Sequence, residues 1–220
     1  MSRVRPSPSI CIVTRARGVA GSRERRRLLE RLGAAAQAGA DAIQIRERQF
    51  DDRSLLQFVE EVVGVVRPFG ARVVVNERTD VALAAEADGV HLKSDGPAAR
   101  DVRAIVPDGF LIGRSVHGAD EARVVQLAGG CDYLFFGTAF RSLSKPDDHP
   151  VAGVETLRRM CAAVSLPVIA IGGVTLDRVP EVRAAGAAGI AAISLFADAA
   201  DITSVTTALR DALTLPRGNA

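Results

Sequence analysis

The sequence predicts an α/β protein built as one closed (β/α)8 barrel, and three observations carry that expectation. Its 220 residues suit one such barrel better than one sandwich or two domains. Eight short β-type runs alternate with eight helix-type stretches, with no linker between units. Hydrophobic residues make up 48% while aromatics make up 4% and Trp is absent, so a large core is available and must be aliphatic. A doubly wound open sheet is the competing arrangement, because alternation alone does not close a ring.

The first run, ICIV at 10–13, is β-branched and apolar. Its helix, 23–38, sets Leu28, Leu29 and Leu32 at helical spacing among arginines, which reads as a solvated helix face and not as a nucleic-acid contact. The second unit pairs the run 42–45 with the helix 53–66. In the third, Val73, Val74 and Val75 mark the run 72–75, and 80–86 is its helix. GVHL at 89–92 precedes the helix 97–106, and the run 111–115 precedes 119–127. YLFF at 133–136 leads into the longest loop of the chain before the helix 154–164. PVIAI at 167–171 leads to 177–185, and the run 190–194 to 202–213. Gly39, Gly70, Gly129 and Gly186 fall near helix ends, where a left-handed residue closes the last turn. Residues 1–220 are therefore read as one TIM-barrel domain, with flexible ends at 1–9 and 214–220.

Bulk chemistry narrows the function. Twenty-eight basic and 26 acidic residues leave a net charge of +2, which gives no long-range pull toward nucleic acid. Cys11, Cys131 and Cys161 are odd in number and share no CxxC spacing, so neither a zinc site nor a disulfide framework is expected. The apolar part of the basic start is too short for a secretory signal. The longest uncharged run, 184–197, is too short to cross a bilayer. A cytoplasmic protein acting on small molecules, with a homo-oligomer as an open option, is the expectation, with no membrane or nucleic-acid partner.

In a barrel the chemistry sits where the strands end, and polar residues gather at those points. Gln44, Arg46 and Arg48 alternate with Ile43, Ile45 and Glu47. Period two therefore turns an amide and two guanidiniums to one face, suited to an anion. Gly113, Ser115 and His117 share a face of the fifth run, with His117 placed for acid–base work. Ser142, Ser144 and Lys145 lie in the loop GTAFRSLSKPDDHPVAG, read as a lid carrying phosphate-binding groups. Gly172 and Gly173 after the seventh run, with Ile193 and Ser194 one unit later, offer backbone N–H groups for a second phosphate. Glu77 and Asp95 each follow an apolar run and are the candidate metal acids.

The motifs IQIRER, VVVNERTDVALAAEADGVHL, LIGRSVH, FGTAF…SLSK and PVIAIGGV…EVRAAGAAGIAAISLF occur in one order along almost the whole chain. In this the sequence resembles the thiamine phosphate synthase/TenI superfamily. The resemblance implies that a pyrimidine methyl pyrophosphate loses pyrophosphate to give a stabilised carbocation, which a thiazole phosphate nitrogen then attacks. It assigns Gln44 to the pyrimidine, and Arg46, Arg48, Asn76 and Lys145 to pyrophosphate with Ser115 nearby. Ser142, Ser144, Gly173 and Ser194 go to the thiazole phosphate, and Mg2+ is implied on Glu77 and Asp95.

Three departures stand out. Arg48 replaces a usual lysine, and Glu77 replaces a usual aspartate. The segment usually read Gly-Gln-Glu-Asp is Lys93-Ser94-Asp95-Gly96 here, which puts glycine at the aspartate position and a positive charge three residues before it. The TenI-type alternative is a metal-free tautomerase aromatising a carboxythiazole phosphate, with His117 as the acid/base. A phospho-ligand-binding or regulatory barrel without catalysis is the third reading.

Overall fold

A computed structural model describes residues 9–16, 18–141 and 151–214. Strand β1 (Ser9–Val13) pairs in parallel with both β2 (Ala42–Ile45) and β8 (Gly189–Ala192), which closes the sheet into a ring. Between them run β3 (Arg72–Asn76), β4 (Gly89–Leu92), β5 (Leu111–Val116), β6 (Tyr133–Phe136) and β7 (Val168–Ile171). The open-sheet alternative is thereby excluded. Helices α1 (Arg23–Gln37), α2 (Asp52–Val66), α3 (Thr79–Ala84), α4 (Ala99–Arg103), α5 (Ala119–Ala128), α6 (Gly153–Ala163) and α7 (Val179–Ala184) follow β1 to β7 in turn. The short α8 (Ser194–Ala197) and then α9 (Ile202–Thr214) follow β8.

The pleat sorts each strand between two cores. Ile43, Ile45, Val73, Val75, Val90, Leu92, Ile112, Leu134 and Phe136 face outward under the helices. Cys11, Val13, Tyr133, Phe135, Ile169 and Ala191 fill the barrel itself. Fully burying one such aliphatic side chain is worth about 1.5–3 kcal/mol, so the outer layer dominates stability. Ser22 caps α1 by accepting from Arg25 N at 3.2 Å, and Asp51 caps α2 by accepting from Ser54 N at 2.7 Å. Among the described residues no helix is long and apolar enough to cross a membrane.

Three details depart from the sequence reading. The last strand ends at Ala192, because Ile193 turns to helical dihedrals (φ −103°, ψ −71°) and Ser194 opens the extra helix α8. Arg25 leaves the solvated face of α1 and is buried over Phe58 and Phe50, 4.3 and 5.1 Å from their ring centroids. Glu61 on α2 meets that guanidinium at 3.0 Å, which makes the burial affordable. Ser9 and Thr214, assigned to loose ends, belong to β1 and α9.

A carboxylate brace repeats at the floor of the barrel. Asp41, Asp88 and Asp132 each stand immediately before an even-numbered strand. Each accepts through its side chain from one backbone N–H on the preceding strand: Ile10 at 2.7 Å, Val73 at 2.8 Å and Ile112 at 2.7 Å. Each also donates its own N–H to the carbonyl of that same residue. Arg210 and Arg103 hold the outer two carboxylates. The fourth position is Ala188, which keeps the backbone bond to Val168 O at 2.7 Å but has no carboxylate.

Candidate active site

The polar groups at the strand ends form a directed chain. Lys93, just after β4, pairs with one carboxylate oxygen of Glu77, just after β3. The other Glu77 oxygen accepts from Asn76 Nδ2 at 2.9 Å, and Asn76 Oδ1 accepts from Gln44 Nε2 at 2.9 Å. A carboxylate can only accept, so Glu77 fixes the Asn76 amide, and Asn76 in turn fixes that of Gln44. Gln44 is buried, and its Oε1 is left as a buried acceptor without a partner among the described residues. Such an orphan costs about 1–3 kcal/mol until something donates to it. Glu77 sits at φ 65°, a left-handed conformation rare for a side chain of this kind, held by its N–H on His91 O at 2.9 Å.

Beside this chain lie the two arginines. Arg46 is half-buried and Arg48 exposed. Burial and then the charge of Arg48 push the Arg46 guanidinium below its usual range, and Glu77 and Glu47 oppose that shift. Two cations held together with one half desolvated favour an anion between them. Between them Glu47 ties this segment to the end of β1. Glu47 is buried, accepts from Thr14 Oγ1 and from Ala16 N at 2.8 Å, and Arg46 N donates to Thr14 Oγ1 at 3.2 Å.

The next sector holds a residue that the sequence reading passed over. His91 lies inside the barrel, with Nε2 2.9 Å from Ser115 Oγ and Nδ1 3.3 Å from Tyr133 Oη. Its ring packs 4.2 Å from Phe135. Burial pushes its pKa down to about 3, so it is neutral and holds Ser115 by a hydrogen bond alone. Gly113 makes this possible, since a Cβ there would overlap the Tyr133 ring. The signal was available: the alternation applied to IQIRER, applied equally to GVHLK, turns His91 and Lys93 inward together. His117 sits farther out, largely exposed, and its N–H donates to Glu121 Oε2 at 2.7 Å, with Nδ1 3.5 Å from the same oxygen.

Across the mouth, Gly172 and Gly173 have φ of 98° and 62° and allow the chain after β6 to pass close. A Cβ on Gly172 would lie 2.9 Å from Thr138 backbone, and one on Gly173 would overlap the Arg141 carbonyl oxygen. Gly172 O accepts from Phe140 N at 3.0 Å. Ser194 is exposed at the first turn of α8, where Phe196 N and Ala197 N both return to Ile193 O. The first N–H groups of a helix have no partner inside it, so this corner offers donors to an anion. Ser142, Ser144 and Lys145 lie outside the described residues.

The acids assigned to Mg2+ do not fit that ion. Both Glu77 oxygens are engaged, one by an ammonium, and Asp95 is exposed on the Lys93–Gly96 turn. Among the described residues no three His, Cys, Asp or Glu gather as a metal group. The thiols are not alternative reactive groups. Burial pushes Cys11 up to about 12 and Cys131 and Cys161 up to about 11, so all three stay protonated.

A family model described as thiamine monophosphate synthase matches residues 11–196. A thiamine-phosphate synthase of Methanoculleus marisnigri is 44% identical over 183 residues, covering 83% of this chain and 85% of its own. One from Methanoregula boonei is 41% identical over 176 residues, covering 80% and 81%. The solved structure of a thiamine phosphate pyrophosphorylase from Pyrococcus furiosus superposes with a TM-score of 0.79 at 33% identity, covering 93% of this chain and 95% of that one.

Proposed function

The chain belongs to the thiamine monophosphate synthase family, an enzyme family of transferases, and from that premise we propose how its own residues do the work. The reaction joins hydroxymethylpyrimidine pyrophosphate to hydroxyethylthiazole phosphate and releases pyrophosphate. The bond between the pyrimidine methylene and the pyrophosphate oxygen breaks, and both electrons leave with oxygen. The ring amino group feeds electron density into the cation left behind, and the thiazole nitrogen lone pair then forms the new C–N bond.

The observation that carries this reading is the buried, unpartnered Oε1 of Gln44. It is the acceptor left over once the Gln44 NH2 is committed to Asn76, and the pyrimidine amino group is the donor we assign to it. Arg46 and Arg48, two residues and four residues along from it, receive the leaving pyrophosphate. Charge grows on that group as the bond breaks, so fixed cations stabilise the transition state more than the bound substrate. Ser115, held by His91, supplies a hydroxyl on the same side. Gly173 and Ser194 receive the thiazole phosphate.

The test is direct. Purified protein given both substrates should form thiamine phosphate and pyrophosphate in equal amounts, and no product above a protein-free blank would end the proposal. Gln44→Leu should lower kcat/KM for the pyrimidine by roughly 10²-fold, as expected when one oriented polar contact is removed from a buried site. Feeding carboxythiazole phosphate to the same preparation tests the tautomerase alternative, for which His117→Ala is the control.

A further inference from the structure

We propose that Lys93 supplies, from within the chain, the positive charge that a divalent metal would bring to this corner of the mouth, so that the enzyme turns over without Mg2+. The inference rests on the synthase reading above for its substrate and deepens it. Two observations carry it, and they are coupled. Lys93 places its ammonium on one oxygen of Glu77 while Asn76 Nδ2 holds the other, and the second candidate acid, Asp95, is exposed on the turn that Lys93 opens. A corner with two carboxylates and a divalent ion is neutral overall. One carboxylate with one ammonium is neutral as well. The Glu77–Lys93 pair therefore carries the same net charge as two carboxylates filled by a divalent ion, with Asp95 outside the pair and exposed.

The turn that presents Lys93 is built to stay in place. Gly96 N donates to Lys93 O at 3.2 Å, closing the turn. Arg114 on β5 donates to the carbonyls of Ser94 at 2.6 Å, Pro97 at 2.7 Å and Gly96 at 3.1 Å. A Cβ on Gly96 would stand 3.3 Å from Lys93 O, a tight approach that a shift of a few tenths of an ångström would relieve. Glu77 is fixed from its other side by Asn76. An ammonium so placed can donate to the carboxylate and to an incoming phosphoryl oxygen at once, because it carries three N–H bonds. A divalent ion entering here would have to displace it against like charge.

Two measurements decide the matter. In the first, thiamine phosphate formation is followed with EDTA and with millimolar Mg2+. The wild type should change by less than about twofold between the two, while Lys93→Gln should lose about tenfold or more in EDTA. An enzyme silenced by EDTA, or a Lys93→Gln variant with unaltered rates, overturns the proposal. In the second, Mn2+ is titrated by electron paramagnetic resonance into the protein with inorganic pyrophosphate. The wild type should take up no more Mn2+ than pyrophosphate alone, and stoichiometric uptake overturns the proposal whatever the activity. Should no thiamine phosphate form under any condition, the synthase reading fails, and the Mn2+ titration still judges the role of Lys93.

Discussion

The direction of three amides and acids hangs on the charge of one residue. Glu77 accepts at both oxygens, so Asn76 and Gln44 point their NH2 groups toward it and the Gln44 oxygen is left without a donor among the described residues. Glu77→Gln would let the chain reverse. Lys93 would keep the new amide oxygen, the new NH2 would face Asn76, and Gln44 would offer a donor in place of an acceptor. Turnover should then fall about tenfold or more with little change in melting temperature, and binding should shift from amino- toward oxo-substituted pyrimidines. Unchanged ring preference in a competition assay would show that Glu77 does not set this polarity. His91 gives a pH signature. Its pKa is about 3 in the fold and about 6.5 when unfolded, so the unfolded chain takes up a proton first as pH falls. Its contribution to stability is complete above about pH 6.5 and drains away down to about pH 3. His91→Asn should flatten that part of the curve of stability against pH, and parallel curves would refute the assignment. Gln44 was legible from alternation alone. The Glu77–Lys93 pairing was not, because it joins two strand ends whose relative height depends on register.

At the scale of elements, the turn after β7 carries a steric requirement that the motif alone does not show. Read in isolation, Gly172-Gly173 exposes N–H groups for phosphate. In the fold its first duty is steric, since both glycines have positive φ and admit the backbone at Thr138 and Arg141. Gly173→Ala should cost about 1–3 kcal/mol in backbone strain alone, plus the overlap with Arg141 O. At about 2–4 °C per kcal/mol for a chain of this size, thermal melts should drop by several degrees. A variant melting with the wild type would leave phosphate contact as the reason for glycine. The helix α8 was missed for a related cause. Its four residues continue an Ala-rich apolar run, and only the dihedrals of Ile193 separate strand from helix.

For the whole molecule, strand count and closure were legible because each apolar run is followed by a helical one. The braces at the floor were present in the sequence too, as GAD, EAD and GCD before three of the even strands, with GAA before the fourth. Three residues above them stand Gln44, His91, Phe135 and Ala191, the inward layer from alternate strands. At about 3.3 Å per residue, each carboxylate fixes the height of a side chain some 10 Å away. Asp41→Ala should therefore lower kcat/KM as well as the melting temperature, although Asp41 touches nothing at the mouth. A stability loss with full activity in the folded fraction would separate floor from site. The missing fourth carboxylate makes the ring uneven in stiffness. The seam between β7 and β8 lies under Gly173 and Ser194, and amide hydrogens there should exchange with solvent sooner than those between β3 and β4. Faster exchange there would mark the quadrant to which the proposed function assigns the second, nucleophilic substrate.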